Sequence, residues 1–210
     1  MRRCAKHYLR PRHWLHCFSA PMDPRKSFEI ATANLPAAST RFYGDVRNSA
    51  IGAGMILAEV EYPAFISTEN RFGVVRGLVI VLTHECDLDQ GNARVFNDAA
   101  IICPIIKLEN MTDTLSEIMD DVDLNDFLSN VSARNVNRLL YIPLVPEVMP
   151  LGGYLYLNLI SHTHLSKLTE QTVKTVCMLS GEGLRELDYA LERHLRRPKA
   201  DRLPFQPTAQ

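Results

Sequence analysis

The chain has no apolar stretch approaching the roughly 18–20 residues that cross a bilayer, so no membrane partner is expected. It has no CxxC pair. Cys4, Cys17, Cys86, Cys103 and Cys177 are scattered and odd in number, which excludes a disulfide scaffold and fits a reducing, cytoplasmic setting. It lacks a charge of one sign: the formal net charge is -1 and the pI is about 6.7, so nucleic acid would have to be held by a local basic patch. It has no acid before Asp23, and His7, Arg10, Arg12, His13 and His16 break any secretory apolar region. The basic start has the charge of a transit peptide but almost none of its serine. Met22-Asp23-Pro24 reads as an alternative start, with residues 1–21 as a poorly ordered tail or a mis-set gene start.

What remains is an ordinary globular composition, 46% hydrophobic and 22% charged over 210 residues, enough for one domain with appendages. Residues 1–50 lack sustained periodicity and read as an irregular basic arm, with a short helix near 25–33. From Gly54 the pattern changes. Met55–Tyr62 puts Ile56, Ala58, Val60 and Tyr62 on one expected face, with Glu59 and Glu61 opposite, and Pro63 is expected to end the strand. Val74–Thr83 and Ala99–Leu108 read as further strands, the second marked as an edge or bulge by Pro104. Turns are expected at Ser67–Asn70 and Asp89–Asn92.

A helical insertion follows at 112–134. Thr114 and Glu117 form a capping box, and Leu115, Ile118, Met119 and Val122 repeat at helical spacing. Its second helix carries Leu124, Phe127, Leu128 and Val131. Between residues 109 and 126 there are acids and no Lys or Arg, which is either a solvated face or a surface for a basic partner. Strands resume at Leu139–Leu144, Tyr154–Ser161 and Val173–Leu179. Gly152-Gly153 supplies a turn, and Leu155, Leu157 and Leu159 are expected to face the core. Ser180 caps a final helix with the stripe Leu184, Leu187, Leu191 and Leu195, and residues 198–210 read as a tail. No helix alternates with strands in βαβ fashion. The expected fold is therefore mainly β with helices (α+β): a small, curved, antiparallel barrel at 51–197, with a helical insertion and a C-terminal helix.

The richest stretch is Thr83-His84-Glu85-Cys86-Asp87, which ends the apolar run Leu78–Leu82 and is expected at a strand's mouth. Three chemistries compete there with plain polar capping of a strand end. His84 beside Cys86 suggests an activated thiol, since residues two apart on an extended strand share a face. His84, Cys86 and Asp87 together with His162 and His164, which also end an apolar run, suggest thiolate and imidazole ligands for zinc. The third chemistry is RNA cleavage.

The order of strands resembles the MazF/PemK family, SH3-like barrels known as toxin endoribonucleases. The resemblance rests on the glycine-led strand Gly54-Met55-Ile56-Leu57 and on Arg76 heading Gly77–Leu82. It also rests on the second apolar strand Ala99–Ile105 and the closing helix Glu182–Leu195. It covers residues 52–108 and, more loosely, 138–196. Arg76-Gly77 stands where the family has Arg-Pro, and Ile105-Ile106-Lys107 where it has a catalytic Ser or Thr.

The resemblance implies a cytoplasmic homodimer that binds or cuts RNA without metal or cofactor and answers to an antitoxin-like protein. Such chemistry needs a cation for the developing phosphate charge and a base for the 2′-hydroxyl. Arg76 and His84 are the candidates, with Thr83, Cys86 and Asp87 beside them. Arg76 and His84 lie over about 20 Å apart along a straight strand, so only bending or a dimer interface would unite them. A barrel that has lost catalysis and binds a protein through the acidic helices or a barrel face is the alternative.

Overall fold

The apolar run Leu78–Val81 becomes a strand because it is buried on both faces. In Leu78–Val81, Leu78 and Ile80 enter one cluster with Ile56, Cys103, Ile105, Leu155 and Leu187, while Val79 and Val81 enter a second with Leu57, Val60, Ile102 and Leu165. A strand with no solvent face has no polar alternation to show. Each fully buried Val, Leu or Ile contributes about 1.5–3 kcal/mol relative to exposure.

The computed structural model describes residues 41–45, 50–66, 69–89, 91–92, 98–110, 123, 126–127, 129–130 and 136–196. Its strands are β1 (Tyr43–Gly44), β2 (Met55–Ile66), β3 (Arg71–Val81), β4 (Ala99–Lys107), β5 (Leu139–Ile142), β6 (Gly153–Tyr156), β7 (Ser161–His164) and β8 (Lys174–Leu179). Short helices α1 (Glu85–Leu88) and α2 (Leu165–Leu168) and the long helix α3 (Gly181–Leu195) complete it.

All pairings are antiparallel, in the order β1-β8-β2-β3-β4-β6-β5, with β7 on β4. The sheet curls. β7 pairs with residues 99–102 of β4 and, on its other side, reaches β2 through side chains: Thr163 Oγ1 donates to the Glu61 carbonyl at 2.8 Å and Ser161 Oγ to that of Pro63 at 2.9 Å. The helix α3 covers the first core with Leu184, Leu187, Ala190 and Leu191. Ser180 caps it as expected, accepting from the backbone N–H groups of Glu182 and Gly183, both at 3.2 Å. Leu195, expected in the stripe, is exposed.

Several expectations need correction. Pro63 does not end β2, which runs on to Ile66 opposite Arg71. The Pro63 carbonyl faces β7, so its missing N–H lies on that side too and costs the β2–β3 ladder nothing. Nor do Ile56, Ala58, Val60 and Tyr62 share a face. The register shifts between Leu57 and Val60, where Glu59 takes φ 63°, and this bulge turns Val60 and Tyr62 to the second core while Ile56 and Ala58 face the first.

Pro104 is on an inner strand. It stands opposite Val79 at the point where β4 changes its other neighbour from β7, which ends opposite Ile102, to β6, which begins opposite Ile105. The expected strand 154–161 is two strands, β6 and β7, joined by a 3-10 turn at Leu157–Leu159 in which Leu159 is exposed. The end of the N-terminal arm joins the sheet as β1, with Phe42 buried.

The short helix near 25–33, residues 1–21 and the tail 198–210 lie outside the described residues. Of the helical insertion, only Asp123, Asp126, Phe127, Ser129 and Asn130 are described. They are helical, and Phe127 packs beside Leu108, Tyr141 and Tyr154. Among the described residues no helix is long and apolar enough to cross a membrane.

Candidate functional site

Two polar clusters flank β4. The first follows β3. Leu82 N–H donates to the Ile101 carbonyl at 2.8 Å, and Ile101 N–H donates to Thr83 Oγ1 at 2.6 Å, so the threonine hydroxyl continues the ladder after the backbone has left it. Thr83 is thereby occupied as a strand-end cap. The chain then turns. His84 is extended, its carbonyl accepts from Asp87 N–H at 3.0 Å, and Glu85–Leu88 form α1. Leu88 is buried in the second core and anchors the turn. Gly52 permits the close packing there, since a Cβ on it would come within 2.7 Å of Glu85 Cβ.

His84, Glu85, Cys86 and Asp87 are exposed on this turn, not at an extended strand mouth. The turn still brings together what the sequence suggested. His84 Nδ1 lies 3.2 Å from Cys86 Sγ and 3.4 Å from Glu85 Oε2, and Cys86 Sγ lies 4.0 Å from Asp87 Oδ1. Asn92 Nδ2 donates to the Cys86 carbonyl at 2.8 Å and Gly91 N–H to Asp89 Oδ1 at 2.8 Å, fixing the loop behind the thiol. Cys103 and Cys177 are different: both are buried, and desolvation pushes each thiol up to about 12.

Arg76 belongs to the second cluster. It stands mid-strand opposite Glu61 and bonds its carboxylate at 2.6 Å. Lys167 on α2 binds the other oxygen of Glu61 at 3.1 Å and Glu170 at 2.7 Å. Hydrogen bonds from Arg76 and then Lys167 hold the Glu61 carboxyl below the usual carboxylate range, and the same contacts raise Arg76 and Lys167. Two cations meet two carboxylates, so this network offers a phosphate little net attraction. Arg76 bonds Glu61, whereas His84 lies against Glu85 and Cys86.

Beside the network lies an open groove of about 480 Å³, lined by Tyr62, Pro63, Val74, His162, His164 and Lys167 among others. His162 and His164 are exposed on one face of β7, and Thr163 between them points into the core. His164 Nδ1 accepts from Ser166 N–H at 3.1 Å, and its Nε2 lies 3.5 Å from Asp98 Oδ2. The zinc set is not drawn together. The His84–Cys86 turn continues β3 along one edge of β4, and the two histidines lie along the other. Among the described residues no group of three or more His, Cys, Asp or Glu is arranged to hold a metal ion.

Sequence reasoning missed the outer end of the β2–β3 hairpin. Residues 63–66 pair with 74–71, and three large apolar side chains stand out there: Phe65 at 53% exposure, Phe72 at 76% and Val74 at 71%. The two rings meet edge to face, 5.4 Å between centroids. Reading Pro63 as a terminator hid this segment, although the alternation Phe65, Phe72, Val74 is visible in the chain.

In comparisons with protein-family models, curated proteins and solved structures, nothing matches the chain.

Proposed function

We propose that the chain is a protein-interaction module, an SH3-like barrel distantly akin to MazF/PemK proteins, that engages a partner through the outer end of the β2–β3 hairpin. The carrying observation is the exposed trio Phe65, Phe72 and Val74 on that hairpin. Part of their presence is explained within the chain, because a cross-strand aromatic pair is worth about 0.5–1.5 kcal/mol. More than half of each residue nevertheless remains open to water, which hairpin stability does not require. Covering a Phe fully gives about 1.5–3 kcal/mol, so this trio fits the apolar centre of an interface. The neutral Arg76–Glu61–Lys167–Glu170 network beside it fits a polar rim. The curled antiparallel sheet and closing helix α3 support the likeness to MazF/PemK barrels.

A second reading follows from that likeness: toxin-type RNA cleavage, with the exposed His84–Cys86 contact as its support. The ion-paired Arg76 weighs against it, and so does Thr83, whose hydroxyl is taken by the ladder.

Photo-crosslinking in cells separates the two. A crosslinker at position 72 should yield a discrete adduct with a partner protein, lost on adding Phe65→Asp, while one at Glu182 yields none. Replacing Phe72 by Asp should weaken the captured complex about 30-fold, the equivalent of about 2 kcal/mol. No adduct from position 72 refutes the module. RNA cleavage or growth arrest by the wild type that disappears in Arg76→Ala, His84→Ala or Cys86→Ala establishes the nuclease instead.

A further inference from the structure

The hairpin end carries an open backbone edge as well as exposed side chains. β4 pairs with β3 only as far as Pro104 opposite Val79. Residues 71–77 therefore pair with β2 on one side and, among the described residues, with no strand on the other. Two observations fix which backbone groups face that open side. The Glu61 and Pro63 carbonyls turn away from β3 to accept from Thr163 and Ser161 of β7, so Arg76 and Val74 opposite them also direct their N–H and C=O away from β2. Independently, Leu82 N–H bonds the Ile101 carbonyl of β4, and counting back by twos from Leu82 reaches the same residues, Arg76 and Val74, and then Phe72. The side chains of these three share one face and are exposed. The segment holds no proline or lysine, and its register with β2 is unbroken, so the usual protections of a sheet edge are missing.

We propose that this edge pairs with the same edge of a second copy of the chain, antiparallel and two-fold about Val74, joining two hairpins into one sheet. The proposal rests on the reading of the hairpin end as an interface and names the partner. In this register Val74 faces the second copy's Val74, and Phe72 faces the second copy's Arg76. Each pair exchanges two backbone N–H···O=C bonds, because all three residues point their groups outward. The side chains match as well. Glu61 holds Arg76 at 2.6 Å, so its guanidinium is already placed beside the position that the second copy's Phe72 ring takes, a cation–π pair. Arg71 faces Gly77, so no like charges oppose each other, whereas sliding the centre to Arg76 would set two arginines face to face. Phe65 lies opposite Phe72 within each hairpin, so the apolar residues of both copies form one strip. A closed two-fold contact of this kind needs only one self-matching patch. The segment 71–77 is well short of the roughly 20–30 residues a side of a standard interface, so the dissociation constant should lie at about 10–100 µM.

The test is analytical ultracentrifugation of the full chain from about 1 to about 500 µM, a range that brackets the expected constant. The wild type should pass from one copy to two. Val74→Pro removes an N–H that β2 does not use, so the hairpin should keep its fold while both central bonds of the dimer are lost and association weakens about ten-fold or more. A dimer equally strong in Val74→Pro places the contact elsewhere and overturns the proposal. Should circular dichroism show that the proline unfolds the chain, Val74→Cys decides instead. Facing Cα atoms in such a pair lie about 5.5 Å apart, within reach of a disulfide. Mild oxidation at about 100 µM, near the expected constant, should give a 74–74 cross-link by peptide mass mapping, and Phe65→Cys, one strand further out on each copy, should give none. Failure of Val74→Cys to link also overturns the proposal. A single-copy mass for the wild type at every concentration removes the second copy as partner. The cellular crosslink from position 72 then judges the hairpin reading separately: an adduct with a different protein keeps it, and no adduct ends it.

Discussion

Replacing Thr163 by Val tests the seam on which the whole arrangement turns. Thr163 is 5% exposed, and its hydroxyl donates to the Glu61 carbonyl at 2.8 Å, tying β7 to β2. Valine has nearly the same shape, so packing is kept and only the donor goes. The part-buried Glu61 carbonyl is then left without that partner, a loss of about 1–3 kcal/mol, softened by the lower desolvation cost of a methyl, for a net of about 1–2 kcal/mol. For a chain of this size each kcal/mol moves Tm by about 2–4 °C, so Tm should fall by about 2–8 °C. Urea unfolding should show a lower midpoint with an unchanged slope. Ser161→Ala removes the matching bond to Pro63 at an exposed position, where water replaces the donor, and should cost under about 0.5 kcal/mol. If Thr163→Val matches the wild type within about 0.3 kcal/mol, the seam is not held by this hydroxyl and the curl of the sheet needs another cause.

Two further outcomes follow from the same packing. A Cβ at Gly183 would overlap the Phe42 carbonyl oxygen, which Ser180 N–H holds at 2.9 Å, so Gly183→Ala should lose about 1–2 kcal/mol in urea unfolding even though alanine favours helix by about 1 kcal/mol. At Gly181 nothing lies within 4 Å, and Gly181→Ala should be neutral or stabilising by up to about 1 kcal/mol; the reverse order would contradict the packing of α3. The Glu61 carboxyl sits below its ordinary 4.5, so its contribution is complete above that value and is lost as pH falls through the depressed one. Glu61→Gln should therefore flatten the fall in stability as pH drops below 4.5, and an unaltered slope would remove the network from the account.

Much of the secondary structure was legible because an apolar run leaves a direct mark. Leu78–Val81 and Ala99–Ile105 are apolar throughout, and Ser180 ahead of a leucine stripe is a local helix start. The misreadings share one cause. By local rule Pro63 ends a strand and Pro104 marks an edge or a bulge, and both are tolerated inside strands because of what lies beside them in the sheet. The parity of β2 was lost at Glu59, since a bulge inserts a residue that periodicity cannot see. Leu159 was assigned inward for the same reason, by continuing an alternation through a turn.

The candidate site was partly legible. Thr83 to Asp87 is conspicuous as a string, and the contact between His84 and Cys86 follows from their spacing of two, although a helical turn makes it and not a strand. Arg76 was named from its position at the head of an apolar run. Its partner Glu61 lies fifteen residues away and Lys167 lies on another element altogether, so no local pattern could disclose that the cation is spoken for.

The amino-acid sequence by itself determined which segments leave water and which residues carry reactive groups, because side-chain hydrophobicity and capping chemistry act within a few residues. Tertiary structure alone decided which of those groups meet. The pairing of β7 with β4 and its seam to β2 put the histidines and the thiol on opposite edges, folded the arginine into an ion pair, and left an aromatic hairpin in the open. These are contacts between residues 15 to 106 positions apart, chosen by the register of a curled sheet and not by any local preference of the chain.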